Sequence, residues 1–214
     1  MSDLQQKFLQ FALKQNILRF GEFITKFGRL SPYFFNAGSL CEGNSLQHLA
    51  NFYAQTIVQR ELKFDILFGP AYKGIVLAAA TVLALNQKNI NKRFAYNRKE
   101  AKDHGEGGVL VGAPLKGNVL IIDDVISSGS SIRQAIELSL QQGATPCGVL
   151  VALDRMEKGY HQKRSAIEEI QDDYGLTVTA IANLEDLLRL VQNNPQLQSY
   201  QEKIQAYREQ YGTA

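Results

Sequence analysis

Residues 119–131 read VLIIDDVISSGSS and join an apolar run to a polar, glycine-containing turn. The run at 119–122 followed by Asp123 and Asp124 is typical of a buried strand that ends at a sheet edge. The small residues around Gly129 then open a helix, and the backbone N–H groups of such a turn bind anions. The turn lacks the Gly-Lys-Ser/Thr ending of a P-loop. An ordinary capped turn remains the alternative, but the combination favours an anion site.

Apolar strands and helices alternate on both sides of this stretch. Besides 119–123, we predict strands at 64–69, 94–97, 148–154 and 177–182. Strands with continuous apolar character are buried on both faces of a sheet. The predicted fold class is therefore α/β, with a mostly parallel central sheet flanked by helices. Ligands bind such sheets at the carboxyl ends of the strands.

Three helices follow from the same pattern. One begins near Gly74, and another covers LEDLLRLVQ at 184–192. The third follows the polar turn, with Ser130 or Ser131 as its N-cap and Gly143 as its stop. Its inner face is predicted to contain Ile132, Ala135, Ile136 and Leu140.

The two ends of the chain do not follow the strand–helix alternation. We expect 1–60 to form an N-terminal helix and a small hood, 61–185 the core, and 186–214 helices packed on that core. Together they would make one compact domain. The N-terminus predicts an amphipathic helix rather than a signal peptide, because its apolar residues recur at helical spacing. The apolar positions are Leu4, Phe8, Phe11 and Ala12.

Composition excludes several classes of protein. The net charge is +2, with 45% hydrophobic and 21% charged residues in 214, so no global charge attracts nucleic acid or membrane. The apolar run at 75–85 is about half the length of a membrane span. Cys41 and Cys147 are expected to be reduced, and we predict a cytoplasmic protein with neither nucleic-acid nor membrane partners.

Two segments supply cations that an anion site requires. The segment at 98–108, RKEAKDHGEGG, carries Arg98, Lys99, Lys102 and His104 and ends in flexible glycines. It is either a solvated surface loop or a lid that closes on phosphates. GPAYKG at 69–74 presents Lys73 between two glycines at a strand-to-helix turn.

A third segment, GRLSPYFFNAG at 28–38, contains adjacent aromatic residues. Phe34 and Phe35 are either core residues or a surface on which a flat heterocycle stacks, with Lys26 nearby. Arg155 either binds a planar carboxylate or imide or makes a surface salt bridge. His48 and His161 lie in polar stretches and are expected at the surface.

These motifs resemble a known family. VLIIDDVISSGSS resembles the phosphoribosyl-diphosphate signature of type I phosphoribosyltransferases. FGEFITKFGRLSPYFFNAG, FGPAYKG and NRKEAKDHGEGG resemble segments of the bacterial, orotate-specific branch of that family. The resemblance covers nearly the whole chain. It departs in the phosphate loop, where residues 127–130 read SSGS and the family pattern is nearer Thr-Ala-Gly-Thr.

The resemblance implies transfer of the phosphoribosyl group from phosphoribosyl diphosphate to orotate, giving orotidine 5′-monophosphate and pyrophosphate. Mg2+ would be bound mainly through the substrate, near Asp123 and Asp124, without dedicated protein ligands. The implied catalytic residues are Lys73, Arg98, Lys102, His104, Asp123 and Asp124. The implied substrate contacts also include Lys26, Phe34, Phe35, Tyr72, Lys99, Val125, Ile126, Ser127, Ser128, Gly129, Ser130, Ser131 and Arg155.

The resemblance also implies a homodimer in which Lys102 and His104 reach the neighbouring subunit's site. Alternatives are a phosphoribosyltransferase for a purine or uracil and a non-catalytic regulator that senses phosphoribosyl diphosphate and binds nucleic acid. The low net charge disfavours the regulator. A metal-dependent hydrolase is weaker still, because no further ligands lie at metal-binding spacing from the two aspartates.

Overall fold

The computed structural model describes residues 1–102, 108–126, 129–159 and 164–213. The helices are α1 Asp3–Lys14, α2 Gly43–Gln59, α3 Lys73–Asn86, α4 Ser130–Gln141, α5 Ala166–Tyr174, α6 Leu184–Gln192 and α7 Gln201–Tyr211. The strands are β1 Leu18–Ile24, β2 Leu30–Phe35, β3 Ile66–Gly69, β4 Arg93–Lys102, β5 Gly108–Gly112, β6 Asn118–Val125, β7 Thr145–Asp154 and β8 Val178–Asn183. Short 3-10 turns cover Ala37–Ser39 and Gln198–Tyr200.

The central sheet has six strands in the order β5-β4-β3-β6-β7-β8. The pairs β3–β4, β3–β6, β6–β7 and β7–β8 are parallel, and only β4–β5 is antiparallel. This topology confirms the predicted α/β class. All five predicted strands are present, and β5 is an additional strand that the sequence pattern did not indicate.

The sheet is buried on both faces, as its apolar strands predict. In β6, Leu120 and Ile122 join one hydrophobic cluster, and Val119 and Ile121 join the other. Because consecutive strand residues point to opposite faces, β6 divides its side chains between the two cores. This arrangement leaves only the ends of the strands open to a ligand.

The hood consists of the antiparallel hairpin β1–β2, which forms a sheet of its own. Helix α7 packs against β2, and α1 packs against β8. Tyr33 and Phe35 of β2 belong to the same hydrophobic cluster as Leu120 of the central sheet. The hairpin is therefore attached to the main sheet through apolar side chains.

Helix α4 differs from its prediction in two respects. Gly129 is its N-cap, with φ at 70°, whereas Ser130 and Ser131 are already inside the helix. The serine N-cap was therefore wrong, because a left-handed turn here needs glycine. Leu140 is 54% exposed, whereas Ser139 is buried and donates to the Ala135 carbonyl at 2.8 Å. The inner face repeats at 132, 135, 136 and 139, which turns position 140 outward.

Gly143 follows α4 with φ at 73°, consistent with its predicted role as the stop. Helix α6 covers the predicted residues 184–192. Within the described ranges, no helix is both long and apolar enough to span a bilayer.

Candidate active site

Three motif-bearing strands are neighbours in the sheet, because β3 lies between β4 and β6. Parallel strands end at the same edge, so the turn after β3, the far end of β4 and the acidic end of β6 are brought together. The sequence motifs begin at positions 69, 98 and 123 in the chain, and the strand order brings them side by side.

The two aspartates at the end of β6 point to different surroundings. Asp124 is 2% exposed, and its Oδ2 accepts from Lys73 Nζ at 2.6 Å. Its Oδ1 accepts from the Val125 backbone N–H at 2.9 Å. Asp123 is partly exposed, and its Oδ1 accepts from the Asp124 N–H at 2.9 Å. One carboxylate is therefore paired inside the protein and the other faces the open edge.

The pKa of the Asp123 carboxyl is raised to about 7, first by burial and then by the neighbouring Asp124 charge. Lys73 opposes the shift but does not cancel it. Asp123 thus gains or loses its proton near neutral pH, which is a feature common to catalytic carboxyls.

Tyr53 of α2 contacts the backbone of this acidic pair. Its hydroxyl donates to the Asp123 carbonyl at 2.8 Å, and the side chain is fully buried. Burial, followed by the Asp124 and Asp123 charges, raises the pKa of Tyr53 well above its usual value. Sequence reasoning missed this residue, because nothing local links position 53 to position 123.

The cradle beyond the aspartates begins at buried Gly129. A Cβ on Gly129 would lie 3.3 Å from Ile170 Cδ1 of α5, so the turn is packed closely against that helix. Arg133 in α4 pairs with Glu169 at 3.1 Å and with Asp173 at 2.6 Å. These contacts hold the N-terminus of α4 in place. Ser127 and Ser128 lie outside the described residues.

Several of the predicted site residues line one small cavity. It is lined by Lys26, Asp123, Val125, Ile126, Gly129, Ser130, Ser131 and Ile132. Lys26 comes from the turn of the β1–β2 hairpin, so the hood extends over the cradle. The structure therefore brings a cation of the hood to the acidic pair and the α4 N-terminus.

The turn after β3 is held by close backbone packing. A Cβ on Gly69 would lie 1.9 Å from the Gly74 carbonyl oxygen, and a Cβ on Gly74 would lie 2.7 Å from Pro70 Cδ. Both glycines of GPAYKG are thus required for the strand and helix to approach. The peptide bond between Ala71 and Tyr72 is cis.

The end of β4 contacts this turn. Lys99 Nζ lies 4.6 Å from the centre of the Tyr72 ring, and the Ala71 N–H donates to Asn97 Oδ1 at 3.0 Å. Arg98 Nη1 donates to the Gly108 carbonyl at 3.4 Å, across the β4–β5 hairpin. Sequence reasoning did not single out Asn97.

The segment at 98–108 is a strand for part of its length. Lys102 pairs with Gly108 in the antiparallel ladder, so the predicted loop begins as an extension of β4. Flanking charge and glycine concealed this strand, because they are typical of loops. His104 and the Lys102 side chain lie outside the described residues, and their predicted roles stay predictions.

The two adjacent aromatic residues of the hood differ in how far their rings are exposed. Phe35 is 3% exposed and packs 6.1 Å from the Phe8 ring, so its side chain belongs to the core. Phe34 is partly exposed and stacks on Phe23 at 5.4 Å, with the Arg19 guanidinium over both rings. Only Phe34 retains a ring near the surface.

Arg155 is buried, in contrast to the surface salt bridge considered above. Its Nε donates to Glu157 Oε1 at 2.7 Å, its Nη2 donates to Ser31 Oγ at 3.0 Å, and it lies over the Tyr33 ring. Burial opposes its charge, yet Tyr33 and Glu157 raise the pKa of Arg155 above the ordinary value. Arg29, whose Nη1 is 3.7 Å from Glu157 Oε2, adds a second cation that the motifs did not indicate.

His48 is exposed and stacks on Phe11, and His161 lies outside the described residues. Across the described ranges, no three His, Cys, Asp or Glu side chains converge as a metal cluster would require.

Comparisons with known proteins show the family of this chain. Residues 39–180 match the phosphoribosyl transferase domain family. Orotate phosphoribosyltransferase of Neisseria meningitidis serogroup C (strain 053442) is 61% identical over 212 residues, covering 99% of each chain. The protein of the same name from Chromobacterium violaceum is 58% identical over 212 residues, again covering 99% of each.

Solved structures extend the comparison to the fold. The crystal structure of orotate phosphoribosyltransferase from Francisella tularensis superposes with a TM-score of 0.85 at 40% identity, covering 97% of this chain and 100% of that one. Adenine phosphoribosyltransferase from Thermoanaerobacter pseudethanolicus shares the fold, with a TM-score of 0.53 at 12% identity over 81% of this chain and 99% of that one. The match over nearly the full length of the chain shows that it belongs to the orotate phosphoribosyltransferase family.

Proposed function

We propose that the chain transfers the 5-phosphoribosyl group from phosphoribosyl diphosphate to orotate, giving orotidine 5′-monophosphate and pyrophosphate. The observation that carries the proposal is the juxtaposition of Asp123 and Asp124 with the α4 cradle and Lys73 at one sheet edge. Carboxylates beside an anion site would repel a simple polyphosphate. They suit a substrate that has a phosphate at one end and a sugar that becomes cationic in the middle.

The reaction creates opposite charges in neighbouring places. Breaking the anomeric C–O bond gives the ribose ring oxocarbenium character and leaves negative charge on the departing pyrophosphate. Asp123 and Asp124 would bind the ribose hydroxyls and stabilise the cationic ring. Lys73, Arg98 and Lys99 would neutralise the pyrophosphate, together with Lys102 and His104. Catalysis is then mainly preorganised electrostatics, with no covalent nucleophile.

The 5′-phosphate would bind at residues 125–131. The N-terminus of α4 contributes about 1 kcal/mol toward an anion, or about 2 kcal/mol in favourable geometry. Micromolar binding needs about 8 kcal/mol. The turn alone is therefore insufficient, which is why Lys26 in the same cavity supports this assignment.

The hood, the hairpin β1–β2, would hold the base. Phe34 offers a ring face, whereas Phe35 would contribute through its backbone, because its ring is buried. Arg29, Arg155 and Glu157 carry one net positive charge between them, and Arg155 donates to Ser31 of β2. This surplus positive charge would complement the carboxylate of orotate, while the Phe34 ring would stack on the base. Ser127 would complete the contacts to orotate.

The residues present fit a magnesium ion held chiefly by substrate oxygens. Magnesium prefers oxygen ligands and is commonly bound by one or two carboxylates plus phosphates. Asp123 is the carboxylate available to the ion, because Asp124 is already paired with Lys73. Asp123 would help to hold the ion and would orient the ribose hydroxyls, and the ion would supply positive charge to the diphosphate.

A homodimer is part of the same proposal. Tyr72, Val76 and Leu83 are 66%, 50% and 67% exposed and fall on one side of α3. An apolar stripe of this kind marks a protein interface. Because Tyr72 directly precedes Lys73, a partner docked there would lie beside this pyrophosphate subsite, and the partner's Lys102 and His104 are proposed to complete it.

We also propose a cytoplasmic location. Cys41 and Cys147 are both free, which suits a reducing compartment.

The proposal is tested by incubating the protein with orotate, phosphoribosyl diphosphate and magnesium while following the loss of orotate absorbance. Adenine, hypoxanthine and uracil replace orotate in parallel reactions. We expect turnover with orotate and at most traces with the other bases. Turnover of another base with none of orotate would overturn the assignment of substrate. Binding of phosphoribosyl diphosphate without turnover of any base would instead favour a sensor.

A further inference from the structure

Asn97 is a buried polar residue in β4 that the proposed reaction does not use. It is 4% exposed, next to Arg98, and pairs with Leu110 of β5 in the antiparallel ladder. Buried amide groups are hydrogen-bonded as a rule, so the partners of this side chain show what it holds together.

Both ends of the Asn97 amide have partners. Its Oδ1 accepts from the Ala71 N–H at 3.0 Å, and its Nδ2 donates to the Arg98 carbonyl at 3.2 Å. Ala71 lies in the turn that leads to Lys73. The side chain therefore links the turn after β3 to the strand that carries Arg98 and Lys99.

The base and the tip of this turn are held by different contacts. Its base is already held, because Gly69 and Gly74 approach too closely to admit a Cβ on either. Its tip, at residues 71 and 72, has a different set of contacts. Asn97 holds the Ala71 N–H, and Lys99 Nζ lies 4.6 Å from the centre of the Tyr72 ring.

We propose that Asn97 is a positioning residue that fixes the turn at 70–73 against β4, so that Lys73 and Arg98 meet the pyrophosphate as one preformed unit. The inference rests on the proposed function, because it assigns these cations to the diphosphate. Positional errors of about 1 Å can lower a rate about 100-fold. A residue that touches no substrate can therefore control the rate.

The test compares Asn97→Ala, Asn97→Asp and Ser139→Ala. Asn97→Ala removes both hydrogen bonds, whereas Asn97→Asp keeps an isosteric acceptor for the Ala71 N–H. Ser139→Ala is the matched control, because it removes one buried side-chain hydrogen bond elsewhere, to the Ala135 carbonyl at 2.8 Å. Each variant is assayed for kcat and for KM of both substrates, and its melting temperature is recorded.

We expect Asn97→Ala to lower kcat/KM for phosphoribosyl diphosphate about tenfold or more, with KM for orotate changed less than about twofold. Asn97→Asp should recover part of the loss, and Ser139→Ala should lower only the melting temperature. An equal rise in KM for the two substrates, or a loss confined to melting temperature as in the control, would overturn the proposal. If Asn97→Ala does not fold, Asn97→Ser takes its place, because its shorter side chain cannot span the 3.0 Å contact to the Ala71 N–H, and the same two outcomes would overturn the proposal.

Binding of phosphoribosyl diphosphate and magnesium, measured by calorimetry, distinguishes failure of the positioning role from failure of the proposed reaction. If wild type binds the diphosphate but does not convert orotate, the proposed function fails. Weaker binding by Asn97→Ala than by Ser139→Ala would still support the positioning role, and equal binding would refute it.

Discussion

Lys73 Nζ lies 2.6 Å from Asp124 Oδ2, and this ion pair joins the turn after β3 to the acidic end of β6. The Asp124 side chain is 3% exposed, whereas that of Lys73 is 46% exposed. The ammonium group therefore neutralises a buried carboxylate while the Lys73 side chain stays partly exposed to solvent. The two residues are fifty-one positions apart in the chain.

Removing the ammonium should weaken both stability and binding. We expect Lys73→Met to reduce the free energy of unfolding by about 1–3 kcal/mol, because Asp124 is left buried without its partner. For a chain of this size that corresponds to about 2–4 °C in melting temperature per kcal/mol. The value of kcat/KM for phosphoribosyl diphosphate should also fall.

Thermal denaturation at pH 8 checks the stability effect. The double variant Lys73→Met/Asp124→Asn should regain part of the stability, since no unpaired charge remains. Lys88→Met, at an exposed lysine, is the control for loss of charge. A single variant as stable as this control would show that the pair contributes nothing to folding.

The raised pKa of Asp123 predicts how stability depends on pH. An aspartate in an unfolded chain has a pKa of about 3.9, and that of folded Asp123 is about 7. Between these values the folded state holds more protons, so this group's contribution to stability falls as pH rises from about 4 to about 7. Asp123→Asn should therefore melt like wild type at pH 4 and at a higher temperature at pH 8.

Melting curves at several pH values test this directly. Asp3→Asn, at an exposed aspartate, should show no gain that grows with pH. If the difference between Asp123→Asn and wild type is the same at pH 4 and pH 8, the carboxyl does not titrate in this window.

Lys102 carries a separate prediction about the leaving group. We expect Lys102→Ala to lower kcat about 100-fold or more, as loss of one charge-stabilising donor commonly does. Binding should change less, because the residue would act on charge that develops as pyrophosphate departs. Steady-state kinetics with Lys116→Ala as the control decide this, and near-normal turnover with only a raised KM would refute the role.

Shared sites predict complementation between subunits. If Lys102 serves the neighbouring subunit, mixing inactive Lys102→Ala with inactive Asp124→Asn should restore activity in mixed dimers. Each mixed dimer would then contain one site with both residues intact. Mixed dimers, verified by differently tagged subunits, that show no recovery would indicate that each site is built from one chain.

A substitution in α3 tests the proposed dimer interface. Leu83→Asp places a charge in the proposed apolar interface and should shift the protein toward monomer in sedimentation experiments. Leu140→Asp is a matched control, because Leu140 is also an exposed leucine in a helix, at 54%, but lies on α4. A Leu83→Asp protein with the same sedimentation as this control would place the interface elsewhere.

Much of the fold could be predicted because its signals are local. The apolar runs indicated all five parallel strands, and the helix at 184–192 was predicted at its observed bounds. The hairpin β1–β2 and strand β5 were not predicted. Charged residues and glycine interrupt β1, serine and proline interrupt β2, and β5 is a short apolar run between two glycines. Leu140 was misplaced because the inner face of α4 follows position 139 instead.

The site was predictable in its motifs and unpredictable in its pairings. The acidic pair, the glycine turn and the cationic segments were each visible as short patterns. Tyr53 and Asn97 were not, because each is an isolated polar residue whose partner is distant in sequence. Tyr53 contacts position 123, and Asn97 contacts position 71.

The sequence by itself determined the α/β class, the order of the strands along the chain and the chemical types of the site residues. Those features depend on periodicity and on residues adjacent in the chain. Only the tertiary structure decided that Lys73 neutralises Asp124, that Asp123 stays open with a raised pKa, and that Arg155 is buried beside Glu157. The physical reason is that ion pairing and burial depend on which strands lie side by side, and strand order is set by packing of the whole chain.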